Sequence, residues 1–191
     1  MIERIEEALA ALLSDSAPAV REAAAEAMDR TRAKRSLERF RERFRAGGLE
    51  ERVRAVHTAG ELGGAEGIAF LLEALSDGAE EVRGAAVRAL ALFPSPAVLK
   101  ALWEMLPKER GVVLANLVEA LGASGRKELR PHVEKYLSHP EGEVRAKAVV
   151  ATSRLTDASG WEKILALRED PDEMVRAAVA EGLGNWTSAR W

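Results

Sequence analysis

The sequence of 191 residues lacks cysteine, and its aromatic residues make up only 5 % of the chain. Without cysteine, the chain has no disulfide, no thiolate nucleophile and no cysteine-ligated zinc site. It also lacks any uncharged apolar run of about 18 residues, so we expect no transmembrane helix. Its 28 basic and 31 acidic residues nearly balance, with a net charge of −3, so the overall charge indicates no polyanionic partner.

Alternating β-branched runs are also missing, whereas alanine is frequent, and both observations favour an all-α fold. The first residues place Ile2, Ile5 and Leu9 at helical spacing among Glu and Arg. A signal peptide needs an uninterrupted apolar core, which this segment does not have. We therefore expect an amphipathic first helix in a cytoplasmic protein.

What the sequence does contain is a repeat. Val-Arg pairs recur with gaps of 33, 29, 62 and 31 residues, and the double gap contains Val113-Leu114 as its missing member. A period of about 31 residues is typical of a two-helix repeat, and six copies account for residues 1–191 as a single domain. The pairs begin at Val20, Val53, Val82, Val144 and Val175.

The third copy, Leu71 to Phe93, shows the unit most clearly. One apolar stripe predicts helix A, which ends at Leu75. The turn residues Ser76-Asp77-Gly78 follow it. A second apolar stripe, from Val82 to Leu90, predicts helix B. One hairpin cannot bury both stripes, so the copies are expected to stack.

Other copies are expected to follow this plan. The first predicts helices at Ile2–Leu13 and Ala19–Thr31, and the second predicts a separate helix A over residues 36–44. His57, in the second helix B, is expected in the core.

An aspartate lies five residues before the valine in three copies, at Asp15, Asp77 and Asp170. A carboxylate there is expected to cap the amides of helix B. We also hypothesise that it pairs with the repeat arginine of a neighbouring copy, forming a ladder along the array.

The segments SDGAEEVRGAAVRAL, SHPEGEVRAKAVVAT and EDPDEMVRAAVAEGLG resemble HEAT repeats, in particular the short bacterial and archaeal type first described in phycocyanobilin lyases. The resemblance covers essentially the whole chain. It implies an all-α, right-handed α-α superhelix of about six two-helix repeats, a fold that serves scaffolds, lyases and nucleic-acid enzymes alike.

Nothing in the sequence indicates catalysis, a metal or a cofactor. Some HEAT-repeat enzymes hold two irons with repeated His-Glu pairs, but none of the three histidines, His57, His132 and His139, is followed by Glu. We expect a non-enzymatic scaffold or adaptor for protein-protein interaction. The alternatives are a bilin-lyase-like or chaperone-type protein and a nucleic-acid-binding protein.

The expected binding surface is the concave face made by the B helices. Its mixed charges suit a protein or peptide that carries some positive charge, and membrane binding is not expected. The candidate residues are Glu26, Arg88, Asn116, Glu119, Lys147, Arg154 and Glu181.

A basic stretch at residues 30–45 has eight basic and two acidic residues. Arg35, Arg39 and Arg43 form a possible patch for an anionic partner. The alternative is a solvated helix face on which Glu38 and Glu42 pair with arginines.

The tryptophans have structural interpretations. Trp103 is expected to pack among leucines of its helix. Trp186 and Trp191 are expected to cap the last repeat, or else to form an apolar end through which the chain dimerises instead of remaining a monomer.

Overall fold

The computed structural model describes residues 2–156 and 160–188, without the side chains of residues 2, 33, 34, 36, 37, 39 and 185–188. The described backbone forms eleven α-helices and no strand. The expected all-α repeat class is therefore confirmed. The contacts divide the chain into two compact units, residues 1–55 and 56–191, with the boundary inside a helix. A single domain over the whole chain stays a prediction.

The first unit contains two helices and the start of a third: α1 (Ile2–Leu12), α2 (Pro18–Ala46) and α3 (Leu49–Leu62). The second unit begins within α3 and continues with α4 (Gly64–Ala74), α5 (Glu80–Leu90), α6 (Pro96–Met105), α7 (Gly111–Ala123), α8 (Arg130–Glu134), α9 (Gly142–Leu155), α10 (Trp161–Leu165) and α11 (Glu173–Ser188). Short 3₁₀ turns, Lys127–Leu129 and Lys135–Ser138, flank α8.

Helix α2 is one continuous helix of 29 residues, so the separate helices at Ala19–Thr31 and residues 36–44 are wrong. No glycine or proline lies between Ala19 and Ala46, and arginine, glutamate and alanine propagate a helix well. The helix starts with Pro18 in its first turn and ends where Gly47 turns to extended backbone. If the chain has six copies, α2 must therefore supply both helix B of the first copy and helix A of the second.

In the second unit, the B helices form one layer. Helices α5, α7, α9 and α11 each contact the next, while α4, α6 and α8 pack against the B helix of their own copy. The repeat valines at positions 82, 113, 144 and 175 are buried, as are Leu90 and Leu121. The prediction that the repeat valines point into the core is confirmed at these four positions. Burying each such side chain contributes roughly 1.5–3 kcal/mol to the free energy of unfolding.

The expectation that His57 lies in the core is wrong. In α3, Val56 and Ala59 take the buried positions, and His57 is exposed. Because successive residues of a helix are about 100° apart, the neighbour of a buried residue can face solvent.

Small residues let neighbouring B helices approach closely. A Cβ atom built on Gly122 of α7 would overlap the Cα and Cβ atoms of Ala151 in α9. The spacing of these two helices therefore depends on the absence of a side chain at position 122.

Replacing Gly122 by Ala should lower the free energy of unfolding by about 1–3 kcal/mol, because the added methyl group overpacks the α7–α9 contact. Urea unfolding followed by circular dichroism measures the change. The matched control is Gly184→Ala in α11, where a Cβ atom meets no heavy atom of the described residues within 4 Å. Alanine favours a helix over glycine by about 1 kcal/mol, so the control should be neutral or stabilising. An equal loss in both variants would contradict the packing argument.

Candidate functional site

The turns between helices A and B are closed from within each copy. In the third copy, the amide of Ala79 donates to Oδ1 of Asp77 at 2.8 Å. Nη1 of Arg83 donates to the carbonyls of Asp77 and Gly78 at 2.9 and 3.1 Å. Since Ala79 precedes the first helical residue, this hydrogen bond closes an Asx turn immediately before helix B. Capping of amides inside the helix stays a prediction. The first and sixth copies repeat these contacts through Asp15 with Arg21 and Asp170 with Arg176.

Two repeat arginines also reach the turn of the next copy. Arg83 forms two hydrogen bonds with Glu109, from Nε to Oε1 at 2.8 Å and from Nη2 to Oε2 at 3.0 Å. Arg145 binds Asp170 in the same way at 2.9 and 2.8 Å. The ladder hypothesis is thus confirmed for Asp170, which pairs with the arginine of the preceding copy. At the junction of the third and fourth copies, Glu109 forms the pair, an acid that the hypothesis did not name. The bidentate geometry ties consecutive B helices in one register.

The junction between the fourth and fifth copies lacks both members of this ion pair. Leu114 stands where the arginine is expected, and His139 stands where the acid is expected. Leu114 is buried, so apolar packing replaces the ion pair there. His139 still closes its turn, since its Nδ1 accepts the amide of Glu141 at 3.2 Å.

The Arg145–Asp170 pair is almost fully buried. The side chains are 13 % and 5 % exposed. The hydrogen bonds from Arg145 lower the pKa of Asp170, burial opposes this shift, and the amide of Asp172 adds to it. The same contact raises the pKa of Arg145. Both ions are therefore stabilised in their charged forms.

The candidate binding residues of the second unit follow a common register along the B helices. Arg88 and Asn116 are 28 positions apart, as are Glu119 and Lys147. Nζ of Lys147 lies 2.7 Å from Oε2 of Glu119, with each side chain about one third exposed. A Cβ atom on Gly84 would lie 3.6 Å from both Nη1 of Arg88 and Nδ2 of Asn116. The structure thus joins Glu119 to Lys147 in an ion pair and places the ends of Arg88 and Asn116 beside Gly84.

Asn116 carries a buried donor. Its Nδ2 atom meets no acceptor among the side chains and backbone that the structure describes. A buried amide without a partner costs about 1–3 kcal/mol. The residue as a whole is partly exposed, but this atom is not accessible from the surface.

The other predicted residues do not join this group. Arg154 on α9 and Glu181 on α11 are exposed. Glu26 belongs to the first unit, where it forms an exposed ion pair with Arg30 at 3.4 Å.

The basic stretch is partly neutralised within the first unit. Nη1 of Arg35 lies 2.7 Å from Oε2 of Glu6, and Arg41 pairs with Glu38 at 3.5 Å. Arg43 is exposed, and the side chain of Arg39 lies outside the described residues. These pairs agree with the interpretation as a solvated, internally paired helix face.

The expectation that Trp103 packs inside its helix pair is wrong, because its side chain is 42 % exposed. Its Nε1 donates to Nδ1 of His132, 3.2 Å away on α8. This contact was not predicted from the sequence. The signal that could have indicated it is the spacing of 29 residues between Trp103 and His132, which is close to one repeat period. The interpretations of Trp186 and Trp191 concern side chains outside the described residues.

Residues 2–156 and 160–188 contain no helix long and apolar enough to cross a membrane. Within the same ranges, no three histidine, aspartate or glutamate side chains are grouped so that they could hold a metal ion.

A family model described as HEAT repeats matches residues 49–122 and 108–184, which together exceed half of the chain. The chain belongs to the HEAT-repeat family. The matched region of this HEAT-repeat protein holds the B-helix layer, whereas α1 and α2 lie outside it.

Solved structures agree with this fold. A chain of the complex of CpcE and CpcF of phycocyanin lyase from Nostoc sp. PCC7120 is similar with a TM-score of 0.56 and 23 % identity, over 94 % of this chain and 76 % of that chain. An engineered protein is similar with a TM-score of 0.51 and 19 % identity, over 98 % of both chains. No curated protein matches the sequence.

Replacing Asp170 by Asn should lower the free energy of unfolding by about 3 kcal/mol, because the buried guanidinium of Arg145 loses its anion. The pKa of Asp170 is lower in the folded than in the unfolded chain. The stability that it contributes is therefore fully present above the ordinary value of 3.8 and lost as the pH falls through the folded-state pKa. Urea unfolding at about pH 7 and about pH 3 should show that the variant loses this pH-dependent part.

The matched control is Glu169→Gln, next to Asp170. Glu169 is 79 % exposed and pairs with Arg168 on the surface. Such pairs contribute about 0–1 kcal/mol, so this variant should keep the wild-type pH dependence. An equal effect of both variants would contradict the role of the ladder.

The incomplete junction can be rebuilt as a further test. Leu114→Arg alone should destabilise the chain, because it buries a charge without a partner. Adding His139→Asp supplies the acid at a spacing of 25, as in Arg145–Asp170, and should recover about 1–3 kcal/mol beyond additivity in a double-mutant cycle. His139→Asn is the control, since it can close the turn without a charge. Equal recovery by Asn and Asp would show that no ion pair forms.

Proposed function

We propose that this HEAT-repeat protein is a non-enzymatic scaffold that binds a partner protein or peptide. The binding surface is the exposed face of the B helices of the second unit, α5, α7, α9 and α11. Family membership supports a protein-interaction role in general. The observation that carries the specific site is the row of polar side chains that crosses the adjacent helices α5, α7 and α9. Rigid helices present such side chains with little loss of conformational entropy on binding.

The partner chemistry follows from the two pairs. Arg88 is exposed, and its guanidinium can only donate hydrogen bonds. Asn116 beside it is partly exposed. Glu119 and Lys147 neutralise each other. A partner that presents backbone carbonyls or a carboxylate opposite α5 and α7 therefore fits this face, whereas a strongly basic partner would meet Arg88 unfavourably.

A partner segment lying across the B helices would next meet Arg154 on α9 and Glu181 on α11, both exposed. These charges of opposite sign would favour one orientation of an asymmetric partner over the other. Glu26, in the first unit, is not needed for this proposal.

Site-specific photocrosslinking in native cells tests the site. A benzoylphenylalanine at position 88 should capture a partner, whereas the same group at position 162, on exposed Glu162 of α10, should not. Arg88→Glu should reduce retention of the captured partner at least tenfold, a loss of about 1.4 kcal/mol. Asn116→Leu should weaken it similarly, since it removes a partly exposed polar side chain beside Arg88, and Glu162→Lys is the surface-charge control.

Retention unchanged by Arg88→Glu and Asn116→Leu would overturn this site. The likeness to the CpcE and CpcF complex, at 23 % identity, supports the fold and not a lyase-like activity. A bilin absorbance band on mixing the protein with the pigment would favour the lyase-like alternative. Salt-sensitive retention on DNA, abolished by Arg43→Glu, would favour the nucleic-acid alternative.

A further inference from the structure

A cleft lies between α6 and α8, on the A-helix side of the second unit. It has a volume of about 390 Å³. We call it the Trp103 cleft, after the largest side chain that lines it. The lining residues are Trp103, Glu104, Leu106, Pro107, His132 and Lys135. None of them belongs to the B-helix face proposed above.

Trp103 is held in one orientation. Its Nε1 atom donates to Nδ1 of His132 at 3.2 Å, and the two rings meet edge to face with centroids 5.2 Å apart. Since the Nδ1 atom accepts this hydrogen bond, the proton of the neutral imidazole is on Nε2. The hydroxyl of Tyr136 donates to the carbonyl of Leu106 at 3.4 Å. The indole N–H and the tyrosine hydroxyl thus each have a hydrogen-bond partner within the chain. The exposed part of the indole ring can therefore contact an apolar group.

The rim of the cleft is basic. Lys108 follows Pro107 and is exposed. Arg110 donates from Nη1 to the carbonyls of Pro107 and Glu109 at 3.4 and 2.7 Å, which places its charge beside the cleft. Lys135 lies 5.0 Å from the ring centroid of Tyr136. Burial raises the pKa of Tyr136, and the charge of Arg110 partly offsets this effect.

The neighbouring acids do not balance these cations. Glu109 is bound to Arg83, and Glu134 is bound to Lys163 at 2.6 Å. Glu104, in the lining, is 3.9 Å from Lys100. The cleft therefore combines an apolar, pre-oriented floor with an unbalanced positive rim, which is complementary to an apolar group next to carboxylates.

The shape of the cleft favours a peptide over a small molecule. Small-molecule sites bury about 70–90 % of their ligand, but this cleft is open enough to leave Trp103 42 % exposed. A single large apolar side chain, with its backbone continuing along the surface, fits such a depression. Exposed tryptophans in surface pockets are also typical centres of protein interfaces.

We propose that the Trp103 cleft binds an acidic peptide segment of a partner protein, with one leucine or phenylalanine side chain against the indole and flanking carboxylates near Lys108, Arg110 and Lys135. This surface is independent of the B-helix face, so either proposal stands if the other fails.

The test uses the full chain and a fluorescein-labelled peptide of about ten residues, with a central Phe-Leu and two acidic residues on each side. Fluorescence anisotropy should show saturable binding that weakens as salt rises, because exposed charges are screened. Trp103→Ala should weaken binding at least tenfold. Lys135→Glu should weaken it at least fivefold, and both residues are exposed enough for the variants to fold. The controls are Leu92→Ala, an exposed apolar residue elsewhere, and Arg168→Glu, an exposed cation elsewhere.

Three results would overturn the proposal. The first is equal binding of a peptide with lysines in place of the acidic residues or glycines in place of Phe-Leu. The second is unchanged affinity in both Trp103→Ala and Lys135→Glu. The third is displacement of the peptide by phenylpropionate at equal concentration, which would identify the cleft as a site for a small aromatic acid.

Discussion

The arginine that links two successive turns is the interaction on which the second unit depends. Arg145 donates to carbonyls of its own turn and forms a bidentate pair with Asp170 of the next copy. Arg83 does the same with Glu109. A buried guanidinium tolerates little displacement, because each lost hydrogen bond leaves a charged donor without a partner. These ion pairs therefore fix α5 against α7 and α9 against α11. Helices α7 and α9 meet instead through buried Leu114 and the close approach of Gly122 to Ala151.

The two layers of the second unit give it two chemically distinct surfaces. The B helices present the Arg88–Asn116 and Glu119–Lys147 pairs, which are polar and nearly balanced in charge. The A side presents the Trp103 cleft, which is apolar at its floor and basic at its rim. Under the proposals made above, the two surfaces would hold two segments of one partner or two partners at once. In the first case, each contact would raise the effective concentration for the other.

Much of the fold could be predicted, because the two signals involved are local. Helical spacing places Val82 and Leu90 inward, and the period of about 31 residues places an acid near the arginine of an adjacent copy. Prediction failed at two places. The repeat period suggested a break in α2 near residues 31–36, whereas the absence of glycine and proline there favoured the continuous helix that forms. His57 faces solvent because packing selects Val56 and Ala59 as the buried pair.

The sequence by itself determined the helical repeat, the inward valines and the chemistry of the turns, because each depends on residues within one copy or at one fixed spacing. Only the tertiary structure decided which side chains meet across copies. Trp103 and His132 are 29 residues apart, and Glu119 and Lys147 are 28 apart. Such contacts depend on the rotation and spacing of neighbouring helices, which Gly122 and the buried ion pairs set through close packing. A tryptophan that looks like core in its own helix can therefore become the exposed wall of a cleft.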